Sequence, residues 1–180
     1  MQDRTDFWEA VDDYQLKNHV EPPPTPEMIA SVEAELGYRL PASYVQLMQT
    51  QNGGLPQRTC FPTMEGTSWA EDHIAITSLA GIGREKRSSL CGDLGSSFMI
   101  EEWGYPALGV YFADCPSAGH DMVALDYRAC GPQGEPSVVH VDQESDYRIT
   151  PLAPDFATFI AGLVTEETFE DGEAEHPARP

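Results

Sequence analysis

Histidine and aspartate are the side chains of this sequence best suited to hold a metal ion. Imidazole together with carboxylate binds zinc or iron, and the candidate ligands are His73, His120 and His140 with Asp72, Asp114, Asp121 and Asp142. The sequence contains no HExxH motif, however, and no two of these histidines share one face of a predicted helix. A metal-dependent hydrolase is therefore an alternative rather than the main expectation, and we expect neither a metal ion nor another cofactor.

The sequence also lacks the usual motifs for nucleophilic catalysis and dinucleotide binding. Residues 66–70 lack the second glycine of a GxSxG motif, and residues 81–84 lack the third glycine of a dinucleotide-binding loop. No CxxC pair, typical of zinc ribbons and redox sites, occurs among Cys60, Cys91, Cys115 and Cys130. We expect no catalytic residues, so the sequence favours a binding function over an enzymatic one.

Acidic residues dominate the charge of the chain, with 30 Asp and Glu against 10 Lys and Arg, for a net charge of -20. The excess is not confined to the acidic end of the chain, because most of these carboxylates precede residue 165. Such a surface repels nucleic acid and anionic membranes and attracts a basic protein partner. The alternative is that the charge keeps the protein soluble and indicates no partner.

Two short acidic motifs with aromatic neighbours are candidates for contact with such a partner. Glu101 and Glu102 precede Trp103, although a buried core position is the favoured alternative for the tryptophan. In residues 126–128, strand alternation places Asp126 and Arg128 on one face, and we expect Arg128 to pair with an acidic residue of the same chain. The complete set of predicted partner-binding residues is Glu101, Glu102, Trp103, Asp114, Asp121, Asp126, Tyr127 and Glu135.

Helices are predicted first along the chain. Phe7, Val11 and Tyr14 recur at helical spacing, with Trp8 beside them, which predicts an amphipathic helix over residues 5–17. After a proline-rich connector, residues 25–37 and 41–52 carry the start and stop signals of two further helices. These two helices form a predicted helical hairpin.

Short apolar runs separated by turn residues follow, which predicts strands over residues 74–76, 110–112, 122–125 and 138–141. Between them, Ser97 is predicted to cap a helical turn that runs to Trp103, and residues 156–163 have the spacing of a closing helix. This order predicts a single α+β domain with the helical hairpin and the C-terminal helix packed around a mostly antiparallel, twisted sheet.

The predicted organisation has three parts. Residues 1–21 form an N-terminal amphipathic helix and linker, residues 22–164 form the domain, and residues 165–180 form a disordered acidic tail. The first residues lack the basic start and apolar run of a secretory signal, so we expect the protein in the cytoplasm.

Several segments, in the same order, resemble the SUKH superfamily, which includes the fungal Smi/Knr-type cell-wall regulators and bacterial immunity proteins. The resemblance covers residues 25–163 and is carried by residues 26–29, 35–37, 40–44 and 52–54 in the hairpin, then by residues 99–106, 124–128, 134–139 and 141–142. The chain departs from the pattern at residues 112–120, where a longer turn replaces a tighter hairpin that carries aromatic residues.

The resemblance implies an α+β fold that binds other proteins, typically a nuclease or deaminase toxin delivered by a competing cell. It implies no catalytic residues. The alternative within the same superfamily is a Smi/Knr-like regulatory scaffold in cell-wall or signalling assembly.

Overall fold

Five antiparallel strands form the main sheet of the computed structural model, which describes residues 6–170. The strand order is β3-β4-β5-β6-β7, so each strand pairs with its neighbours in the chain. Their bounds are β3 Ser78–Leu79, β4 Gly109–Asp114, β5 Asp121–Asp126, β6 Ser137–Asp142 and β7 Arg148–Ala153. A second, two-stranded sheet pairs β1 Cys60–Pro62 with β2 His73–Ala75. The predicted single-domain α+β fold is confirmed.

The helices are short, and those of the predicted hairpin begin and end near the predicted residues. They are α1 Asp13–Asn18, α2 Pro26–Leu36, α3 Ala42–Thr50, α4 Ser96–Glu101, α5 Phe156–Gly162 and α6 Glu167–Glu170. Thr25 caps α2 by accepting a hydrogen bond from the Met28 amide at 3.1 Å, and Gly37 ends it with a φ of 81°. None of the helices in residues 6–170 is long and apolar enough to span a membrane.

The N-terminal helix is shorter than predicted, because the apolar residues ahead of it pair as extended chain. The Glu9 amide donates to the Leu55 carbonyl, and Trp8 forms a bridge with Pro56 and packs into the core at 8% exposure. Helix α1 begins only after Asp12, whose carboxylate accepts from the Gln15 amide. The predicted apolar stripe therefore does not form, and Tyr14 stays exposed.

Two further differences from the prediction concern the start of α4 and a short helix in the acidic tail. Helix α4 begins at Ser96 behind Gly95, so Ser97 lies inside the helix and does not cap it, and the helix ends before Trp103. Within the tail predicted to be disordered, Glu167–Glu170 form α6, and the Phe169 ring stacks on His73 with their centroids 4.0 Å apart. Residues 171–180 lie outside the described residues.

Apolar side chains cover both faces of the main sheet. On one face Val123, Leu125 and Val138 join a core that includes Tyr44 of α3 and Phe156 of α5. The opposite face carries a smaller cluster, in which Met122, Ala124 and Val139 of the sheet lie with Met99 of α4 and Tyr105. Strand β5, in the middle of the sheet, is buried along its whole length.

Candidate protein-binding surface

The predicted partner-binding residues divide between the two ends of β5. Asp121 begins the strand and Asp126 ends it, and five residue steps in a strand span roughly 17 Å. Glu101, Glu102, Trp103 and Asp114 lie toward the Asp121 end, whereas Tyr127 and Glu135 lie toward the Asp126 end. Five of the eight residues thus lie toward one end of β5, where the fold brings Asp114 and Trp103 to one pocket, and whether they bind a partner stays a prediction.

Trp103 is half-buried and is held in place from three sides. Its ring packs against Gly119, where a Cβ atom would lie 3.1 Å from the indole. The His120 ring meets it edge-on, with centroids 5.7 Å apart, and the Tyr147 hydroxyl donates to the Trp103 carbonyl. Trp103 is thus partly a core residue, in the smaller cluster, and partly a surface residue.

Three exposed acidic residues lie near this tryptophan in the chain or through His120. Glu101 and Glu102 are both exposed at the end of α4, on the same side of the helix as Phe98. His120 pairs with the exposed Glu144 at 2.7 Å, which adds a third carboxylate near the ring. We call Glu101, Glu102, Trp103, His120 and Glu144 the Trp103 surface.

A pocket of about 280 Å³ lies beside Trp103 and is mostly apolar. Asp114 is its acidic lining residue, and its Oδ1 accepts hydrogen bonds from the Ser78 amide at 2.9 Å and the Ser78 hydroxyl at 2.5 Å. Burial raises the pKa of Asp114, and the opposing effects of these hydrogen bonds and of His19 do not cancel the increase. A carboxylate in an apolar pocket is a natural binding point for a cation.

Asp121 is buried at 1% exposure, so its carboxylate is not accessible to a partner and the prediction that it lies on the binding surface is wrong. One carboxylate oxygen lies 2.7 Å from His140 Nε2, and the other accepts from the Ser117 hydroxyl. Cys115 lies in the same group, and its donor atom and those of Asp121 and His140 lie within 4.8 Å of one another.

This buried group bears on the hydrolase alternative. Catalytic zinc sites keep a coordination position open for water or substrate, whereas Cys115, Asp121 and His140 are each at most 3% exposed. The other two candidate histidines lie in separate pairs, His73 with Asp72 and His120 with Glu144. The described histidines therefore do not converge on an open metal site.

The opposite end of β5 is occupied by contacts within the chain. Asp126 pairs with Arg128 at 2.7 Å, which confirms the predicted intramolecular partner of Arg128. Burial alone would raise the pKa of Asp126, but the hydrogen bonds and charge of Arg128 outweigh it and lower the pKa. Tyr127 is buried and donates to the Arg39 carbonyl at 2.6 Å, while Glu135 is exposed.

The sequence gives no local signal for several residues of the Trp103 surface and its pocket. Tyr147 lies 44 residues from Trp103 in the chain, and Ser78 lies 36 residues from Asp114. Both contacts follow from the order and register of the strands, which bring the β3–β4 pair and the chain around β7 to this end of the sheet.

Comparison with known proteins identifies the family of this chain. The model of SUKH_6, described as SMI1-KNR4 cell-wall, matches residues 26–160, which begin with the first residue of α2 and contain the whole main sheet. No curated protein matches the chain. Because this match covers well over half of the chain, the protein belongs to the SUKH_6 family.

Proposed function

We propose that this protein acts by binding, and that it is an immunity protein that neutralises a basic toxin of the nuclease or deaminase type. Membership of a family of binding modules supports this proposal, as does the net charge of -20. The proposal places the protein in the cytoplasm, where it would meet a toxin delivered into the cell.

The Trp103 surface is the observation that carries the proposal. Tryptophan is common among residues that dominate binding energy at interfaces, and here a half-buried tryptophan follows two exposed carboxylates in the chain. Glu101 and Glu102 are not among the described ion pairs of residues 6–170, so both charges are available to a basic partner. Such carboxylates accelerate association through long-range attraction, which salt weakens.

The test is capture of partners by the tagged, full-length protein from extracts of its own cells, in low and in high salt. We expect a toxin domain that is released as the salt concentration rises. With that toxin purified, the double variant Glu101→Gln/Glu102→Gln should associate several-fold more slowly in low salt.

A second acidic pair provides the matched control. Glu166 and Glu167 are also adjacent and exposed, and Glu166→Gln/Glu167→Gln removes the same charge from another part of the surface. The control should associate nearly as fast as the unaltered protein. Equal slowing in both variants would show that total charge, rather than the Trp103 surface, determines the rate.

The description of the matched family supports a second candidate, a regulatory scaffold in cell-wall assembly. This candidate predicts that the captured protein is a constant component of the cell's own envelope or signalling machinery. Capture of such a protein, unaffected by salt, would replace the immunity proposal.

A further inference from the structure

The pocket beside Trp103 has the shape and lining of a site for one long side chain. Its volume of about 280 Å³ is at the small end of ligand pockets, which hold about 300 to 1,000 Å³. Phe98 and Trp103 supply aromatic walls, and exposed Leu94 and Ala118 lie where the pocket meets solvent. A side chain that entered here would bury several methylene groups against these rings.

Asp114 makes this pocket selective for charge. Both hydrogen bonds from Ser78 end on Oδ1, which fixes the carboxylate and leaves Oδ2 without a hydrogen bond from residues 6–170. Asp114 is half-buried, and a carboxylate that is partly shielded from water and has no cationic partner is costly to ionise. A cation that enters the pocket would relieve this cost.

No cationic side chain in the described part of the chain forms an ion pair with Asp114. Asp114 is absent from the six ion pairs found among residues 6–170. His19 is the basic group that acts on it, but burial lowers the pKa of His19, although Asp114 and Asp12 oppose that change. Burial thus favours the neutral form of His19, which leaves Asp114 without a cationic partner among the described residues.

We propose that this pocket receives an arginine side chain of the protein partner, with its guanidinium group on Asp114 Oδ2 and its methylene groups against the aromatic walls. Arginine suits the site better than lysine, because a guanidinium is more weakly hydrated than an ammonium and stacks on aromatic rings. The inference rests on the proposed function, since it names the group with which the partner is anchored.

The test uses n-butylguanidinium, which mimics the end of an arginine side chain, and n-butylurea, its uncharged analogue of nearly equal shape. Binding to the full-length protein is followed by NMR, through the indole resonance of Trp103 and the methyl resonance of Ala118. We expect millimolar affinity for the guanidinium, as is usual for so small a molecule, and about 10-fold or more weaker binding of the urea.

Two matched variants locate the charge that is responsible. Asp114→Asn keeps an acceptor for Ser78 and should abolish the preference for guanidinium over urea. Asp93→Asn removes an exposed carboxylate next to Leu94 and should leave the preference intact. Equal binding of the two compounds to the unaltered protein, or shifts that avoid Trp103 and Ala118, would overturn the inference whether or not the variants fold.

The result also separates this inference from the proposed function. If the guanidinium does not bind, but capture of a toxin still depends on Glu101 and Glu102, then only the role of the pocket is wrong. If the guanidinium binds selectively and the captured protein is not a toxin, then the pocket is supported and the immunity proposal is wrong.

Discussion

Gly119 allows a direct measurement of how firmly Trp103 is held. Its φ is +95°, which side chains other than glycine rarely adopt, and a Cβ atom there would lie 3.1 Å from the Trp103 ring. Gly119→Ala should therefore lose about 1–2 kcal/mol of unfolding free energy through backbone strain and about 1–3 kcal/mol more through the crowded contact.

Gly131 is the matched control, because its φ is +77° and no heavy atom lies within 4 Å of the position of its Cβ atom. Gly131→Ala should lose only the cost of backbone strain. Both variants of the full-length protein are unfolded in urea, and Gly119→Ala should also shift the indole resonance of Trp103. Equal losses in the two variants would show that the Trp103 ring yields to the added methyl group without cost and is not a fixed anchor.

Three further substitutions test the buried polar groups. Because burial raises the pKa of Asp114, Asp114→Asn should increase stability by on the order of 1 kcal/mol above that pKa, and the gain should vanish once acid protonates the aspartate in both folded and unfolded chains. Asp114 also raises the pKa of His19, so the two proteins are compared at a pH where His19 is neutral in both and again in acid, and a gain that is independent of pH in urea unfolding would contradict the argument. Glu21→Ala should lose about 3–5 kcal/mol in the same assay, because its buried Oε1 accepts three hydrogen bonds from residues 85–89, and a loss below about 1 kcal/mol would show that water replaces it. Tyr44→Phe should lose about 1–3 kcal/mol, because the fully buried hydroxyl donates to a backbone carbonyl, and an unchanged urea midpoint would count against that bond.

The hairpin could be predicted because its helix ends are set by neighbouring residues. Thr25 caps α2 and Gly37 ends it by interactions within a few positions of the chain. The helix predicted from local spacing over residues 5–17 is wrong in its first half. Phe7 and Trp8 have helical spacing, but their backbone pairs with a segment around Pro56. Spacing along the chain does not reveal that a distant segment competes for the backbone.

The acidic residue types of the candidate site could be predicted from the sequence, but which of those residues reach the surface could be predicted only in part. Glu101 and Glu102 are exposed, as charged neighbours in sequence usually are. The burial of Asp121 depends on His140, which faces it from the next strand, so nothing in residues around Asp121 indicates it. Strand β7 was missed because Pro151 interrupts its pattern, although proline is tolerated on the edge of a sheet.

Pro151 has a consequence for how a partner can bind. Many proteins recognise an extended peptide by adding it as a new strand to an exposed edge, through a row of backbone hydrogen bonds. Here one edge strand contains a proline, which has no amide hydrogen, and the other edge strand is only two residues long. Neither edge is a good template for strand addition, so recognition should depend on side chains. Related proteins with the same sheet could then change partners by surface substitutions without altering strand pairing.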